Sequence, residues 1–310
     1  MSQADAVGVR VPATSANLGP GFDCLGLALE LDDEIEAWFC EGTDVHVQVE
    51  GHGAGHVPTD ATNLVARTVR TGLAAFDESG ELAARGLRLV CRNVIPHGRG
   101  LGSSASAIVG GLAVAAQLAG AWEALGAAEL VALATRLEGH PDNVAPGVLG
   151  GATIAWMQDG AGVGWVGRAT RLSVHPAIVP VLAIPQVQAS THHARGALPE
   201  SVLHRDATFN VARSALLVHA LTADPSLLLE ATDDRLHQVP RRAVYPEALG
   251  LVERLRAQGI PAAISGAGPS VIAFAVDRDP AALVATVAGL AVADTQVLPI
   301  PVAPRGVRAL

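Results

Sequence analysis

Residues 95–107 read IPHGRGLGSSASA, a glycine-rich stretch between an alternating apolar segment, 86–96, and a run of small residues, 103–120. Glycines at 98, 100 and 102 allow positive φ and let the backbone come close to a ligand. Successive N–H groups in such a turn can hold an anion, and the first turn of a following helix adds more unpaired N–H groups. The stretch therefore predicts a strand, an anion-binding loop and a helix, in that order.

This loop lacks the lysine of the commonest phosphate-binding pattern, GxxxxGK[ST]. The chain contains no lysine at all, and its 21 basic residues are all arginine. Chemistry that depends on a lysine amine is therefore excluded. A bound phosphate would need backbone N–H groups, arginine or a metal ion, and the serines at 103, 104 and 106 offer hydroxyl ligands. The alternative is a plain glycine-rich turn before a packing helix.

The composition excludes several classes of protein. A net charge of −9 and an aromatic content of 3% argue against nucleic-acid binding. No apolar run reaches the length of a membrane span, and the N-terminus lacks the features of a secretion signal. Three cysteines without metal-site spacing fit a reducing compartment. We expect a cytoplasmic protein with a small-molecule substrate, no nucleic acid and no membrane partner.

The length of 310 residues favours two domains over one. The glycine-rich stretch 157–170 is the best candidate for a boundary, which predicts an N-terminal domain of residues 1–165 and a C-terminal domain of residues 166–310. The second half mixes strands and helices, as α+β domains do. The segment 12–26 has glycines at 19, 21 and 26 and a proline at 20, and predicts a loop or tight turn.

Three further stretches accompany the glycine loop: PATSANLGPGFDCLG at 12–26, LEGHPDNVAPGVLGG at 137–151 and SGAGPSV at 265–271. Together they resemble the GHMP small-molecule kinases, and among these the homoserine kinases most closely. STHHARGALP at 190–199 and DRLHQVPRRAVYP at 234–246 also match, so the resemblance covers nearly the whole chain. It implies an α+β, two-domain GHMP kinase fold with a ribosomal-protein-S5-like N-terminal domain and a ferredoxin-like C-terminal domain.

The resemblance also implies an activity, namely ATP-dependent phosphorylation of L-homoserine to O-phospho-L-homoserine on the route to threonine. ATP and Mg²⁺ are the implied cofactors, and a homodimer is the family expectation. Three alternatives stay open: a GHMP kinase for another alcohol, a catalytically silent nucleotide-binding regulator, and a decarboxylating relative.

The resemblance carries catalytic roles onto Glu138, His140 and Asn143, with Glu138 and Ser104 as magnesium ligands and Ser103 as the alternative hydroxyl. Asn143 is a hydrogen-bond donor to the transferred phosphate, or else a turn residue that bonds its own backbone. A nearby carboxylate, Asp142, could act as a general base. The family pattern instead suggests that the γ-phosphate takes the proton.

The implied substrate has an ammonium group, a carboxylate and a hydroxyl group. We expect Asp23 near the ammonium, and Arg195 and Arg241 on the carboxylate, because guanidinium groups bind carboxylates in bidentate fashion. Arg242 is the alternative to Arg241. The resemblance places Asn17, His140 and Thr191 near the hydroxyl end.

For ATP, the resemblance implies contacts along the glycine loop and the turn at 265–271. Residues 60–64 and 93–98 are candidates for the adenine side. The predicted ATP contacts are Pro96, Gly98, Gly100, Leu101, Gly102, Ser103, Ser104, Ala105, Ser106, Gly266 and Gly268.

Overall fold

The computed structural model describes residues 6–160, 164–188 and 191–310. Within these residues, seven strands form a large sheet in the order β11-β1-β2-β4-β3, with β5 paired to β2 and β6 paired to β5. Four others form a small antiparallel sheet in the order β10-β7-β9-β8. The strands are β1 (Val7–Asn17), β2 (Gly21–Cys40), β3 (Val45–Gly51), β4 (Gly86–Asn93), β5 (Ala152–Asp159), β6 (Trp165–Leu172), β7 (Ile178–Ile184), β8 (Ala262–Ile264), β9 (Val271–Val276), β10 (Gln296–Pro299) and β11 (Arg308–Ala309).

The helices pack against the two sheets. They are α1 (Leu64–Phe76), α2 (Glu81–Ala84), α3 (Ser103–Leu118), α4 (Ala127–Glu138), α5 (Val144–Leu149), α6 (Thr191–Gly196), α7 (His204–Thr222), α8 (Leu228–Ala231), α9 (Pro246–Arg256) and α10 (Pro280–Leu290). The predicted order of strand, glycine loop and helix is confirmed, because β4 ends at Asn93 and α3 begins at Ser103.

The segment predicted as a loop, 12–26, is instead mostly strand. β1 continues to Asn17 and β2 starts at Gly21, so only three residues connect the two strands. The prediction of a loop was wrong because residues 11–21 are buried on both faces. Small and polar residues fill these positions, and they do not show the apolar alternation of a half-buried strand.

The hydrophobic core consists of three layers of side chains. The first lies between the large sheet and helices α1, α3 and α4. The second lies between the two sheets, where leucines of β2 meet Leu182, Ile272 and Phe274 of the small sheet, and α7 and α8 contribute side chains to it. The third lies between the small sheet and helices α9 and α10. It contains the strand residues that point to the opposite face from Leu182 and Ile272, such as Val181 and Ala273. The two halves of the chain therefore share the middle layer.

The glycine-rich stretch 157–170 is part of the large sheet on both sides of residues 161–163, which lie outside the described residues. Its residues 157–159 and 165–170 belong to the antiparallel pair of β5 and β6, in which Asp159 faces Trp165. The last residues of the chain also return to that sheet, since β11 pairs with β1. The boundary predicted at 165/166 falls at the start of β6, and we propose to place it between β6 and β7, at 173–177.

None of the described helices is both long enough and apolar enough to cross a membrane.

Candidate active site

The glycine loop lies tightly against two other segments of the chain. Gly98, Gly100 and Gly102 have φ values of 64°, 72° and 71°, which confirms the left-handed backbone expected of them. A Cβ atom at Gly100 would lie 2.2 Å from the Ser265 carbonyl oxygen, and one at Gly102 would lie 1.9 Å from Thr14 Oγ1. The Ser265 hydroxyl also donates to the Gly100 carbonyl at 2.7 Å. Only glycine fits this approach of the loop to β1 and to the turn at 265–268.

The loop leads directly into the first turn of α3. The first hydrogen bond of this helix runs from the Ser106 N–H to the Gly102 carbonyl at 2.8 Å. The amides of residues 103–105 precede that bond and therefore have no partner within the helix. They add the partial positive charge of a helix N-terminus to the loop, which suits a phosphate group.

A cleft of about 80 Å³ lies at this helix start. It contains most of the residues predicted to contact ATP, together with all three predicted catalytic residues. Its walls are Gly98, Gly100, Leu101, Gly102, Ser103, Ser104, Glu138, His140, Asn143, Gly266, Ala267 and Gly268.

Three predicted contacts do not lie in the cleft wall. Pro96 is buried, and Ala105 is part of the core beneath α3. The Ser106 hydroxyl points inward to the carboxylate of Asp33, at 3.4 Å. Side chains one turn into the helix therefore face the sheet rather than the cleft, as the helical period requires.

A second, larger cavity of about 350 Å³ adjoins the cleft and shares Ser103 and Ser104 with it. Its walls include Thr62, Asn63 and Leu64 before and at the start of α1, Asn93 at the end of β4, and His97 in the loop that follows. Ile35, Val49 and Val65 make part of it apolar. This cavity lies where the sequence predicted the adenine side of the nucleotide site.

Glu138 is the last residue of α4 and faces the first turn of α3. The Ser104 hydroxyl donates to Glu138 Oε2 at 2.8 Å. Burial raises the pKa of the Glu138 carboxyl group, although the Ser104 hydrogen bond and His140 oppose the shift. A carboxylate and a hydroxyl that converge beside a phosphate-sized cleft are the oxygen ligands that Mg²⁺ prefers, so these residues fit the predicted metal. The arrangement favours Ser104 over Ser103.

His140 and Asp142 form a hydrogen-bonded pair behind the cleft. His140 Nδ1 donates to Asp142 Oδ1 at 2.8 Å, and the Asp142 carboxylate is buried, with 2% of the residue exposed. This bond raises the pKa of His140, so the ring carries positive charge more readily than a free histidine. Nε2 is left for a ligand in the cleft.

Asn143 is held by a residue of β1. The Thr14 hydroxyl donates to Asn143 Oδ1 at 2.8 Å, which fixes the orientation of the amide. Although Asn143 precedes α5, its side chain makes no capping bond to that helix. The alternative role as a turn residue that bonds its own backbone is therefore not what the structure shows. The amide nitrogen lies 3.5 Å from Asp142 Oδ1, and its second hydrogen can be donated to a group in the cleft.

No guanidinium group lines the cleft among the described residues. Arg99, within the glycine loop, donates instead to the carbonyl oxygens of His97, Pro185 and Gln186. It ties the loop to the small sheet. Positive charge at the cleft therefore comes from backbone amides and His140, which leaves a role for a metal ion.

The predicted substrate-binding residues meet beside the cleft, around the Gly266 carbonyl. Arg195 of α6 forms a bidentate pair with Asp23 of β2, with N–O distances of 2.7 and 3.0 Å. Asn17 Nδ2 donates to the Gly266 carbonyl at 2.8 Å, and Asn17 Oδ1 accepts the Asp23 N–H at 3.0 Å. The side chain of Thr191 lies outside the described residues.

The two candidate arginines near residue 241 have different environments. Arg241 is 2% exposed, donates to the Ala194 carbonyl at 3.2 Å, and lies 3.5 Å from the Gly266 carbonyl. Arg242 is exposed and pairs with Glu253 on the surface. The placement favours Arg241 as the substrate ligand.

Two family models match the chain: GHMP kinases N terminal domain over residues 63–151 and GHMP kinases C terminal over residues 216–289. The homoserine kinase of Streptomyces coelicolor is 52% identical over 288 residues, which cover 93% of this chain and 90% of the relative. The chain belongs to the homoserine kinase branch of the GHMP kinases.

Other members of the family agree with this assignment. The homoserine kinase of Rhodococcus opacus is 49% identical over 286 residues, covering 89% of this chain and 90% of that protein. The crystal structure of homoserine kinase from Cytophaga hutchinsonii has a TM-score of 0.82 at 25% identity and covers 100% of this chain and 99% of that chain. The predicted two-domain GHMP kinase fold is confirmed, and the enzyme is a kinase of a family that uses ATP.

Sequence reasoning did not select several residues of this GHMP kinase site. Thr14 orients Asn143, and Ser265 holds the glycine loop. The ring of Phe22 lies 5.7 Å from the guanidinium carbon of Arg195 and 5.5 Å from that of Arg241. His237 contacts Arg241. Its spacing of four residues from Arg241 is a helical-turn spacing and could have indicated this contact.

Proposed function

We propose that this GHMP kinase transfers the γ-phosphoryl group of ATP to the side-chain hydroxyl of L-homoserine, giving O-phospho-L-homoserine and ADP on the route to threonine. The observation that carries the proposal is the position of the Asp23–Arg195 pair and Arg241 next to the glycine-loop cleft. The homoserine kinases at about half identity support the same substrate.

The Asp23–Arg195 pair suits a zwitterion. When no ligand is bound, the Arg195 guanidinium and the Asp23 carboxylate neutralise each other, with Nη2 2.7 Å from Oδ1. An α-amino acid brings an ammonium group for Asp23 and a carboxylate for Arg195 and Arg241, so both partners of the broken pair find a new opposite charge. A hydroxy acid without an amino group would leave Asp23 beside the carboxylate without a cation. The pair therefore selects amino acids over simple hydroxy acids.

The cleft provides for the phosphate groups. Glu138 and Ser104 would hold Mg²⁺, which neutralises charge on the phosphate oxygens when it is bound. The loop amides and the start of α3 bind the phosphates, and the adjoining cavity of about 350 Å³ accepts the adenosine part. Phosphoryl transfer needs such positioning and charge neutralisation more than covalent help from the protein.

In the transfer step, the substrate hydroxyl oxygen forms a bond to the γ-phosphorus. The bond from that phosphorus to the bridging oxygen breaks, and ADP leaves with the electron pair. Asn143 and His140 donate hydrogen bonds to the moving phosphoryl group. The hydroxyl proton passes to a γ-phosphate oxygen, as the family pattern suggests, while Asp142 Oδ1 accepts from His140 Nδ1 and from the Asn143 N–H. A homodimeric state and a cytoplasmic location stay predictions from the sequence.

The test is an ADP-release assay with Mg·ATP and a panel of alcohols: L-homoserine, L-threonine, L-serine, 4-hydroxybutyrate, mevalonate and shikimate. We expect turnover on L-homoserine and at least about 100-fold lower kcat/KM on 4-hydroxybutyrate, which lacks only the amino group, since charge-assisted bonds to Asp23 are lost. Turnover confined to an acid without an amino group would contradict the substrate, and nucleotide binding without any turnover would contradict the kinase activity.

The same assay tests the metal ligand. Glu138→Gln keeps the shape of the side chain and removes its charge, so we expect a kcat lower by about 100-fold and a higher Mg²⁺ requirement. Glu129→Gln is the matched control, because Glu129 lies exposed in the first turn of the same helix. Equal effects of the two substitutions would contradict the role of Glu138.

A further inference from the structure

We propose that His237 is a positioning residue for substrate carboxylate binding: the neutral imidazole holds the Arg241 guanidinium and the turn after Asn17 in one fixed arrangement. This inference rests on the proposed function, because it takes Arg241 as a ligand of the substrate carboxylate. It concerns a residue that touches neither substrate nor nucleotide and acts through Arg241.

The hydrogen bonds of His237 permit a single neutral tautomer. Nε2 lies 2.7 Å from the Gly19 carbonyl oxygen, which can only accept, so Nε2 carries the hydrogen. Nδ1 lies 2.8 Å from Arg241 Nη1, which can only donate, so Nδ1 is the acceptor. The residue has 0% exposure, so water does not compete for either bond. A cationic ring would place two donors and two positive charges face to face.

The contacts of Arg241 leave one end of its guanidinium group available. Nε donates to the Ala194 carbonyl, and Nη1 is shared between His237 and, at 3.5 Å, the Gly266 carbonyl. Nη2 has no hydrogen-bond acceptor among the described residues. The fully buried side-chain atoms that lack a partner do not include Nη2, so this nitrogen is accessible to a ligand. The bond to His237 therefore fixes the plane of the guanidinium group while Nη2 remains free for a carboxylate.

His237 also connects Arg241 to the loop that carries Asn17 and Asp23. The chain passes Asn17, Leu18 and Gly19 with φ values of 69°, 50° and 93°, and the bond from His237 ends on Gly19. The ring stacks on Phe22 at 5.1 Å, and Phe22 lies near both guanidinium groups. Consecutive left-handed residues are unfavourable without support, and this ring supplies it.

Charged groups from three directions surround the ring. Asp234 lies 3.9 Å from Nε2 in the preceding turn, Arg241 follows in the next turn, and Asp23 lies on β2. The Asp234 carboxylate is already engaged by Asn210 and by the backbone N–H groups of 236–238. Burial lowers the pKa of His237, and Arg241 lowers it further against the opposing effect of Asp234. The neutral form therefore persists at neutral pH.

Two substitutions separate the two bonds. The amide of His237→Asn reaches the place of Nδ1 and can still accept from Arg241, whereas the longer His237→Gln reaches the place of Nε2 and keeps only the bond to Gly19. We expect the Gln variant to raise KM for L-homoserine about ten-fold, with kcat and KM for ATP within about two-fold of wild type, as for the loss of one hydrogen bond to a charged group. In the Asn variant, the KM for L-homoserine should rise less than in the Gln variant. His46→Gln, on the exposed side of β3, is the control.

A readout that does not depend on activity is the imidazole ¹⁵N spectrum of the unliganded protein. We expect the His237 signals of a neutral ring with hydrogen on Nε2, unchanged from pH 8 down to pH 6. A cationic ring or the other tautomer overturns the proposal even if a variant fails to fold. Unchanged KM for L-homoserine in the Gln variant, or equal increases of KM for L-homoserine and ATP in both variants, also overturns it. Absence of wild-type turnover on L-homoserine would instead count against the proposed function.

Discussion

Among single residues, Asp33 on β2 is the buried carboxyl group with the clearest consequence for the glycine loop. Its Oδ1 accepts the N–H groups of Val94 and Ile95 at 2.7 and 2.9 Å, and Oδ2 lies 3.4 Å from the Ser106 hydroxyl. These contacts reach both ends of the loop. Burial nevertheless raises the pKa of Asp33 from 3.8 to about 6, more than the hydrogen bonds lower it.

The raised pKa gives a prediction for stability. Between about pH 6 and pH 4 the folded protein binds a proton at Asp33 that the unfolded chain does not, so this residue favours folding more as the pH falls. At neutral pH its charge lowers the free energy of unfolding by up to about 3 kcal/mol, at about 1.4 kcal/mol per pKa unit. Asp33→Asn can keep the two bonds to 94 and 95. We expect it to be more stable than wild type at pH 7.5, with the difference shrinking towards pH 4.

Urea unfolding of both proteins at a series of pH values measures this difference. Asp44→Asn is the control, since Asp44 is exposed. A difference between Asp33→Asn and wild type that stays constant from pH 7.5 to pH 4 would show that Asp33 titrates normally. A less stable Asn variant at every pH would show that the charge itself stabilises the loop.

At the scale of elements, the close approach of the glycine loop to the turn at 265–268 brings the two halves of the chain together at the cleft. Gly100→Ala must adopt a φ of 72° and place its Cβ 2.2 Å from the Ser265 carbonyl oxygen. We expect the two segments to separate, with a KM for ATP at least about ten-fold higher and a lower melting temperature. Steady-state kinetics and thermal unfolding measure these effects.

Gly120→Ala is the matched control for this substitution. Gly120 has a φ of 69°, but a Cβ there meets nothing within 4 Å. It carries the backbone strain alone, about 1–2 kcal/mol, without a clash. If Gly100→Ala and Gly120→Ala lowered the melting temperature equally and left KM for ATP unchanged, the close approach would have no part in nucleotide binding.

At the scale of the whole molecule, the shared middle layer predicts that the two halves unfold together. Leu27 and Leu29 of β2 pack in the same cluster as Phe274 and Leu221. The final segment returns to the large sheet, with Arg308 paired to Asp32. Exposing either half would expose the apolar surface of the other, so we expect one calorimetric transition in which the calorimetric and van't Hoff enthalpies agree.

Two core substitutions test this cooperativity. Leu73→Ala acts in the layer beneath α1 and Leu255→Ala in the layer beneath α9, and both leucines have 0% exposure. Each should lower the free energy of unfolding by about 2–5 kcal/mol and shift the same single transition. Two resolved transitions, of which each substitution moves only one, would show that the halves are independent domains.

Local pattern was sufficient to predict much of the fold. Val45, Val47 and Val49 alternate with polar residues in 44–51, and this segment forms β3. Apolar residues recur at helical spacing in 59–76, which contains α1, and the glycine loop lies between β4 and α3 as predicted. These elements have one buried and one exposed face, which a period in the sequence records. The prediction of a loop was wrong for 12–26, where residues 12–21 are buried on both faces. In the stretch 157–170, Gly167 lies within β6, so its glycines do not by themselves mark a linker.

The sequence by itself determined the residue types of the site and their order: glycines for a close backbone approach, Glu138 at the end of a helix, and arginines without any lysine. Only the tertiary structure decided which side chains meet. It separates Arg241 from Arg242, brings Ser104 to Glu138, and pairs Asp23 with Arg195 over 172 positions of sequence. The physical reason is that a local period records which face of an element is buried, whereas contacts such as those of His237 depend on the packing of distant segments into one shared core.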